Sequence, residues 1–181
     1  EFGYVRLACL SPALTPGDIP RNRDSILEGL ARAADAGAGL AVFPELCLTG
    51  YTCADLFLQD RLLTAARRAL PELAQATDRH GLAAVVGLPL AIDGRLYNCA
   101  AFLSGGAVVG LVPKIFLPTA NEYYEQRWFT SGAGLTGATT VIDGLAVPFG
   151  VDLLFAAREL PECVVGIEVC EDLWTVSPPS G

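Results

Sequence analysis

The chain has 181 residues, of which 52% are hydrophobic and 18% are charged, and its formal net charge at pH 7 is −8. This composition excludes a disordered or fibrous protein, because disorder needs few apolar residues and fibrous chains need a strong glycine or proline bias. The acidic balance argues against nucleic-acid and anionic-membrane partners, since both attract lysine and arginine. The length predicts one domain or part of a larger one.

The scarce residue types restrict the chemistry further. His80 is the only histidine, so two-histidine zinc motifs are impossible and a histidine-based triad would have to use this residue. The six cysteines include no Cys-x-x-Cys pair, and we expect no metal, reduced thiols and a cytoplasmic location. Because methionine is absent and the chain begins and stops abruptly, we expect it to be a fragment.

The first part of the chain predicts strands that alternate with helices. Residues 4–10 and 40–43 are apolar runs of strand length, and the apolar positions of residues 22–36 recur at helical spacing. A second amphipathic helix is predicted at residues 62–80, ended by Gly81. Strands that are nearly all apolar indicate a sheet covered by helices, and therefore an α/β fold.

The rest of the chain predicts strands joined by tight turns. Asp-Gly and Gly-Gly dipeptides separate apolar runs here, which is a strong short-range signal for hairpins. The predicted strands are residues 82–92, 96–103, 107–112, 139–142, 145–149 and 164–169, with turns at Asp93-Gly94, Gly105-Gly106 and Asp143-Gly144. Residues 113–130 predict a loop rich in charged and aromatic side chains.

Three polar residues stand where an apolar strand ends, namely Glu45, Lys114 and Cys170. Such positions often form sites in α/β sheets, because loops there present side chains that a rigid core holds. Glu45 could accept the thiol proton of Cys170. Lys114 could stabilise an oxyanion, and its positive charge could offset the rise in the thiol pKa that the acidic neighbours cause. Taken singly, each residue is more commonly structural, since free cysteines are usually buried and strand-end charges are usually solvated.

The flanking residues resemble the three catalytic motifs of the nitrilase, or carbon-nitrogen hydrolase, superfamily. These motifs are Phe43-Pro44-Glu45-Leu46, Pro113-Lys114 with Leu117-Pro118, and Cys170-Glu171-Asp172-Leu173-Trp174. Residues 121–129 and the cysteine motif look most like the glutaminase domain of glutamine-dependent NAD synthetases. The resemblance implies a nitrilase-like α-β-β-α sandwich, incomplete at its C-terminal end, with a synthetase domain after residue 181.

The resemblance also implies a role for each matching residue. Cys170 would attack the side-chain amide of glutamine to form a thioester, with Glu45 as general base and Lys114 at the oxyanion. Glu125 matches a second glutamate that many members place near the lysine, and as a fourth catalytic residue it would orient the ammonium and tune the thiol. The residues that fall where the family contacts glutamine are Tyr51, Tyr123 and Glu171.

Partners and cofactors follow from the same resemblance. Glutamine hydrolysis would need no cofactor, whereas the synthetase domain would use ATP and Mg²⁺ to convert deamido-NAD to NAD with the released ammonia, and we expect a homo-oligomer. Ala120 departs from the family, whose members commonly carry an aromatic residue there. Two alternatives remain open: a relative that acts on another linear amide or a nitrile, and a non-catalytic interaction module.

Overall fold

A seven-stranded sheet lies at the centre of the computed structural model, which describes residues 3–180. Its strands are β1 (Leu7–Cys9), β2 (Leu40–Val42), β3 (Ala83–Ile92), β4 (Arg95–Ser104), β5 (Ala107–Pro113), β6 (Ala138–Ile142) and β7 (Leu145–Phe149). Their order in the sheet is β1-β2-β3-β4-β5-β7-β6. Strands β1, β2 and β3 run parallel, and β3–β4, β4–β5 and β6–β7 are antiparallel pairs. The predicted hairpins are therefore confirmed.

Two long helices cover one face of this sheet, α1 (Ile19–Asp35) and α2 (Asp60–His80). Both predicted helices are confirmed, but they begin three and two residues earlier than the apolar spacing indicates. The carboxylate of Asp18 caps α1 by accepting a hydrogen bond from the backbone N–H of Arg21. Gly81 ends α2 in the left-handed conformation, at φ 66°. No helix among residues 3–180 has the length and apolar character to cross a bilayer.

The two faces of the sheet pack against different parts of the chain. On β3, the side chains of Ala84 and Val86 join the helix-covered core, whereas Val85 between them joins a second apolar cluster on the opposite face. In that cluster the ring of Phe155 stacks on Phe102 with centroids 4.2 Å apart. The described residues thus form a helical layer, a central sheet and a smaller β layer on the other face.

The smaller layer corrects one predicted strand. It consists of β8 (Phe155–Ala156) and β9 (Val164–Val165), so the strand predicted at residues 164–169 has only two residues. A strand extends only as far as its partner, and β8 itself is two residues long. The first strand is shorter than predicted for the same reason, since β2 offers β1 three partners. The sequence interpretation missed both β8 and a 3-10 helix at Ala54–Leu58.

Candidate active site

Glu45 lies in a tight turn directly after β2. A glycine at position 87 of β3 allows the backbone of this turn to approach, because a Cβ there would lie 2.3 Å from the nitrogen of Leu46 and 2.6 Å from the oxygen of Pro44. The carbonyl of Gly87 also accepts a hydrogen bond of 3.1 Å from the N–H of Leu48. The position of Glu45 is therefore set by backbone packing against the neighbouring strand.

Lys114 follows β5 and its side chain is fully buried. Its Nζ donates hydrogen bonds of 2.7 Å to Oε1 of Glu45 and of 2.7 Å to Oε1 of Glu125. Burial acts to lower the pKa of Lys114, but the two carboxylates outweigh it and raise the pKa above the ordinary value. Lys114 is therefore an ammonium at neutral pH. Its Nζ bonds two acceptors among residues 3–180, which leaves one of its three N–H donors for a further acceptor.

Glu125 begins a 3-10 helix, Glu125–Arg127, within the predicted loop. Its side chain is buried, and its Oε1 accepts a hydrogen bond of 2.6 Å from the hydroxyl of Tyr51 as well as the one from Lys114. Burial raises the pKa of Glu125, although Lys114 and Tyr51 partly offset the effect. Asp55 holds the same segment by accepting hydrogen bonds from the side chains of Arg127 and Trp128.

Cys170 directly precedes a short helix, α3 (Glu171–Trp174), and is exposed. Its φ of 50° lies in the left-handed region, which is uncommon for a residue other than glycine and is a form of strain found at functional sites. Desolvation and the negative charge of Glu45 raise the pKa of the thiol, while Lys114 opposes them. The thiol is therefore protonated at neutral pH and needs a base before it can act as a nucleophile.

Asp172 ties the nucleophile turn to the loop after Lys114. This buried carboxylate accepts hydrogen bonds from the backbone N–H of Phe116 at 2.8 Å, of Ile115 at 3.1 Å and of Val169 at 3.2 Å. The first two donors follow Lys114 and the third precedes Cys170. One side chain thus fixes the backbone on both sides of the site.

The structure brings most of the predicted site residues together. Glu45, Lys114 and Glu125 form one ion-paired cluster. Tyr51 donates a hydrogen bond to Glu125, Cys170 lines the same cavity as Glu45, and the ring of Tyr123 lies 6.3 Å from that of Tyr51. Within residues 3–180, no three His, Cys, Asp or Glu side chains are grouped as they would be around a metal ion.

Glu171 follows Cys170 in the chain but lines a different cavity. Cys170 lines a cavity of about 220 Å³ together with Glu45, whereas Glu171 lines a different cavity of about 490 Å³ together with Phe116 and Ser131. The predicted contact between Glu171 and glutamine is not tested by this arrangement and stays a prediction.

The sequence interpretation missed Gly87 and Asn98, and it named Asp172 only as part of the cysteine motif, without its role in holding the backbone. Asn98 is buried on β4, and its Nδ2 donates a hydrogen bond of 2.6 Å to Oε1 of Glu45. Its signal in the sequence is a polar residue inside an apolar strand, which is costly unless the residue has a partner. Gly87 likewise interrupts an apolar run, and a glycine inside a strand often marks a close backbone approach.

Comparison with known proteins gives the family. The family model described as carbon-nitrogen hydrolase matches residues 5–177. The chain belongs to the carbon-nitrogen hydrolase family. The predicted nitrilase-like fold is confirmed by this match and by the structure of a glutamine-dependent NAD(+) synthetase from Cytophaga hutchinsonii. That structure has 33% sequence identity and a TM-score of 0.85, over 92% of this chain and 28% of that one.

Other carbon-nitrogen hydrolase relatives are similar over most of this chain. A glutamine-dependent NAD(+) synthetase of Mycobacterium tuberculosis is 45% identical over 180 residues, and one of Thermotoga maritima is 35% identical over 176 residues. The chain spans about a quarter of the length of these relatives, 26% and 27%. An amidase from Nesterenkonia sp. AN1, solved with acrylamide added at its active site cysteine, has 26% identity and a TM-score of 0.62. That match covers 79% of this chain and 55% of the amidase.

Proposed function

We propose that this protein hydrolyses the side-chain amide of glutamine to glutamate and ammonia. The observation that carries the proposal is the buried Lys114 ammonium held between Glu45 and Glu125, with the thiol of Cys170 in the cavity that Glu45 also lines. This arrangement offers a nucleophile, a proton acceptor and an oxyanion donor in one place. The similarity to glutamine-dependent NAD synthetases supports glutamine as the amide.

In the proposed reaction, the sulfur of Cys170 attacks the amide carbon while Glu45 accepts the thiol proton. The remaining N–H of Lys114 donates to the oxyanion that forms on the carbonyl oxygen. The C–N bond then breaks, Glu45 returns the proton to the leaving nitrogen as ammonia departs, and a thioester remains. Water then attacks the thioester carbon while Glu45 takes its proton. The C–S bond breaks, the proton returns from Glu45 to the sulfur of Cys170, and glutamate is released.

Glu125 does not transfer a proton in this scheme. Its carboxylate and that of Glu45 keep Lys114 protonated, since together they outweigh the burial that would lower its pKa. Tyr51, Tyr123 and Glu171 are proposed to contact the substrate, and a carboxylate at position 171 suits an α-ammonium group. The reaction as written uses no metal or cofactor.

The destination of the ammonia is part of the same proposal. We propose that a synthetase domain follows, because the chain spans only 26% and 27% of the length of NAD synthetase relatives. In this proposal that domain uses ATP and Mg²⁺ to amidate deamido-NAD, and the protein is a cytoplasmic homo-oligomer. That domain would lie outside these 181 residues.

The test is the release of glutamate from glutamine by the intact protein. We expect Cys170→Ala to abolish release, whereas Cys9→Ala, which changes another exposed cysteine, should retain it. Glutamate release that survives Cys170→Ala would contradict the assignment of the nucleophile. No release by the wild-type protein would contradict glutamine as the substrate.

A second candidate is an amidase for short aliphatic amides. The similarity to the Nesterenkonia amidase, at a TM-score of 0.62, favours it. A comparison of kcat/KM for glutamine and for small aliphatic amides distinguishes the two candidates. A higher value for the small amides, with little activity on glutamine, would support the second.

A further inference from the structure

Asn98 contacts two of the predicted catalytic residues, Glu45 and Lys114. It lies on β4 opposite Pro89 of β3, and it is only 1% exposed. Its Nδ2 donates a hydrogen bond of 2.6 Å to Oε1 of Glu45, and its backbone oxygen accepts one of 2.8 Å from the N–H of Lys114. Asn98 therefore contacts the side chain of Glu45 through its own side chain and the backbone of Lys114 through its own backbone.

The orientation of this amide is fixed by its neighbour. Reversing the amide would place Oδ1 against Oε1 of Glu45, and two acceptors at hydrogen-bond distance repel each other. In the orientation seen, Oδ1 of Asn98 is buried and has no donor among residues 3–180. An unpaired buried acceptor costs stability, so packing alone does not account for an asparagine here.

We propose that Asn98 is a positioning residue that holds Oε1 of Glu45 and thereby leaves Oε2 as the proton acceptor for Cys170. Among the described residues, both hydrogen bonds to the Glu45 side chain end on Oε1, one from Asn98 and one from Lys114. Two donors on one oxygen restrict rotation of the carboxylate. This inference rests on the proposed amide hydrolysis, in which Glu45 takes the thiol proton.

Several ionisable groups face Glu45. They are Lys114 after β5, Glu125 on its 3-10 helix, Cys170 before α3 and Tyr51 in the loop after β2. Asn98 does not titrate, so replacing it with a neutral residue changes the surroundings of Glu45 without changing the number of ionisable groups.

The first experiment compares the pH dependence of kcat/KM for the intact wild-type protein and for Asn98→Asp. The variant keeps the shape of the side chain but places a second carboxylate against Glu45, and two adjacent carboxylates retain a shared proton to higher pH. The acidic limb is the part of the pH profile in which kcat/KM falls on acidification, and we expect it to move to higher pH by about one unit or more. We expect kcat/KM at pH 7 to fall about tenfold to a hundredfold. The change should lie mainly in kcat.

Two further variants separate positioning from folding. Asn98→Ala removes the donor without adding charge, and we expect a smaller shift of the acidic limb in the same direction. Asn22→Asp is the matched control, because Asn22 is also fully buried but bonds backbone atoms of Thr15 and Leu48. It should lower stability and leave the acidic limb where it is in the wild type.

A readout without substrate distinguishes failure of this inference from failure of the proposed function. Alkylation of Cys170 by iodoacetamide, followed on its peptide by mass spectrometry, should begin at higher pH in both Asn98 variants. If the wild type hydrolyses no amide but this shift occurs, the proposed function fails and the role of Asn98 stands. If both Asn98 variants show the wild-type alkylation profile, or if Asn22→Asp shifts it equally, the role of Asn98 is overturned.

Discussion

Replacing Gly87 by alanine should inactivate the site by displacing Glu45. The added Cβ would lie 2.3 Å from the nitrogen of Leu46, 2.6 Å from the oxygen of Pro44 and 2.8 Å from the carbonyl carbon of Glu45. Ordinary contact begins at 3.4 Å, so the closest pair must separate by about 1 Å. All three atoms are backbone, and no rotation of a side chain can relieve the contact.

A displacement of about 1 Å in a catalytic group costs on the order of a hundredfold in rate. We therefore expect kcat/KM of Gly87→Ala to fall by about a hundredfold, and the free energy of unfolding to fall by about 1–3 kcal/mol. The assays are amide hydrolysis at saturating and limiting substrate and urea unfolding followed by circular dichroism. The measured folded fraction corrects the rate for unfolded protein.

Gly110→Ala is the matched control. Its Cβ would lie 2.8 Å from Cε1 of Phe155, so it also creates a close contact, but against a side chain on the opposite face from the helices. We expect it to lose stability while its folded fraction keeps the wild-type kcat/KM. The reasoning would be refuted if Gly87→Ala kept more than half of the wild-type kcat/KM per folded molecule.

Three further changes test the supporting contacts. Burial raises the pKa of Glu125 in the folded protein. The protonated carboxyl group therefore stabilises the fold fully below the unfolded pKa of about 4.3, and this stabilisation is lost as the pH rises through the folded pKa. Between about pH 4 and 7, the free energy of unfolding measured with urea should decline in the wild type but not in Glu125→Gln. If the two proteins gave parallel curves of this free energy against pH, the prediction would be wrong. Asp172→Ala removes the acceptor of three backbone N–H groups. It should lower the free energy of unfolding by at least about 2 kcal/mol. An unchanged urea midpoint would contradict this expectation. Asp55→Asn breaks the paired hydrogen bonds to Arg127 and should lower kcat several-fold with little change in melting temperature, because the ion pair is exposed. Equal kcat values would show that this pair does not position the segment of Glu125.

Local rules account for what the sequence predicted correctly. Helical spacing located α1 and α2, and the Asp-Gly and Gly-Gly turns located the hairpins, because both signals depend on neighbours within a few residues. Glu45, Lys114 and Cys170 were identified because each follows an apolar run, and the motifs around them resemble those of the family to which the chain belongs. The sequence alone therefore determined the fold class and the candidate triad.

Tertiary structure decided how that triad is held. Asn98 and Glu45 are 53 residues apart in the chain, and no local sequence pattern predicts the contact between them. The need for glycine at position 87 likewise appears only when β3 packs against the turn after β2. The length of β9 depended on its partner β8, and the separate cavity of Glu171 depended on the packing around it. These features follow from distances between remote segments, which exist only once the chain has folded.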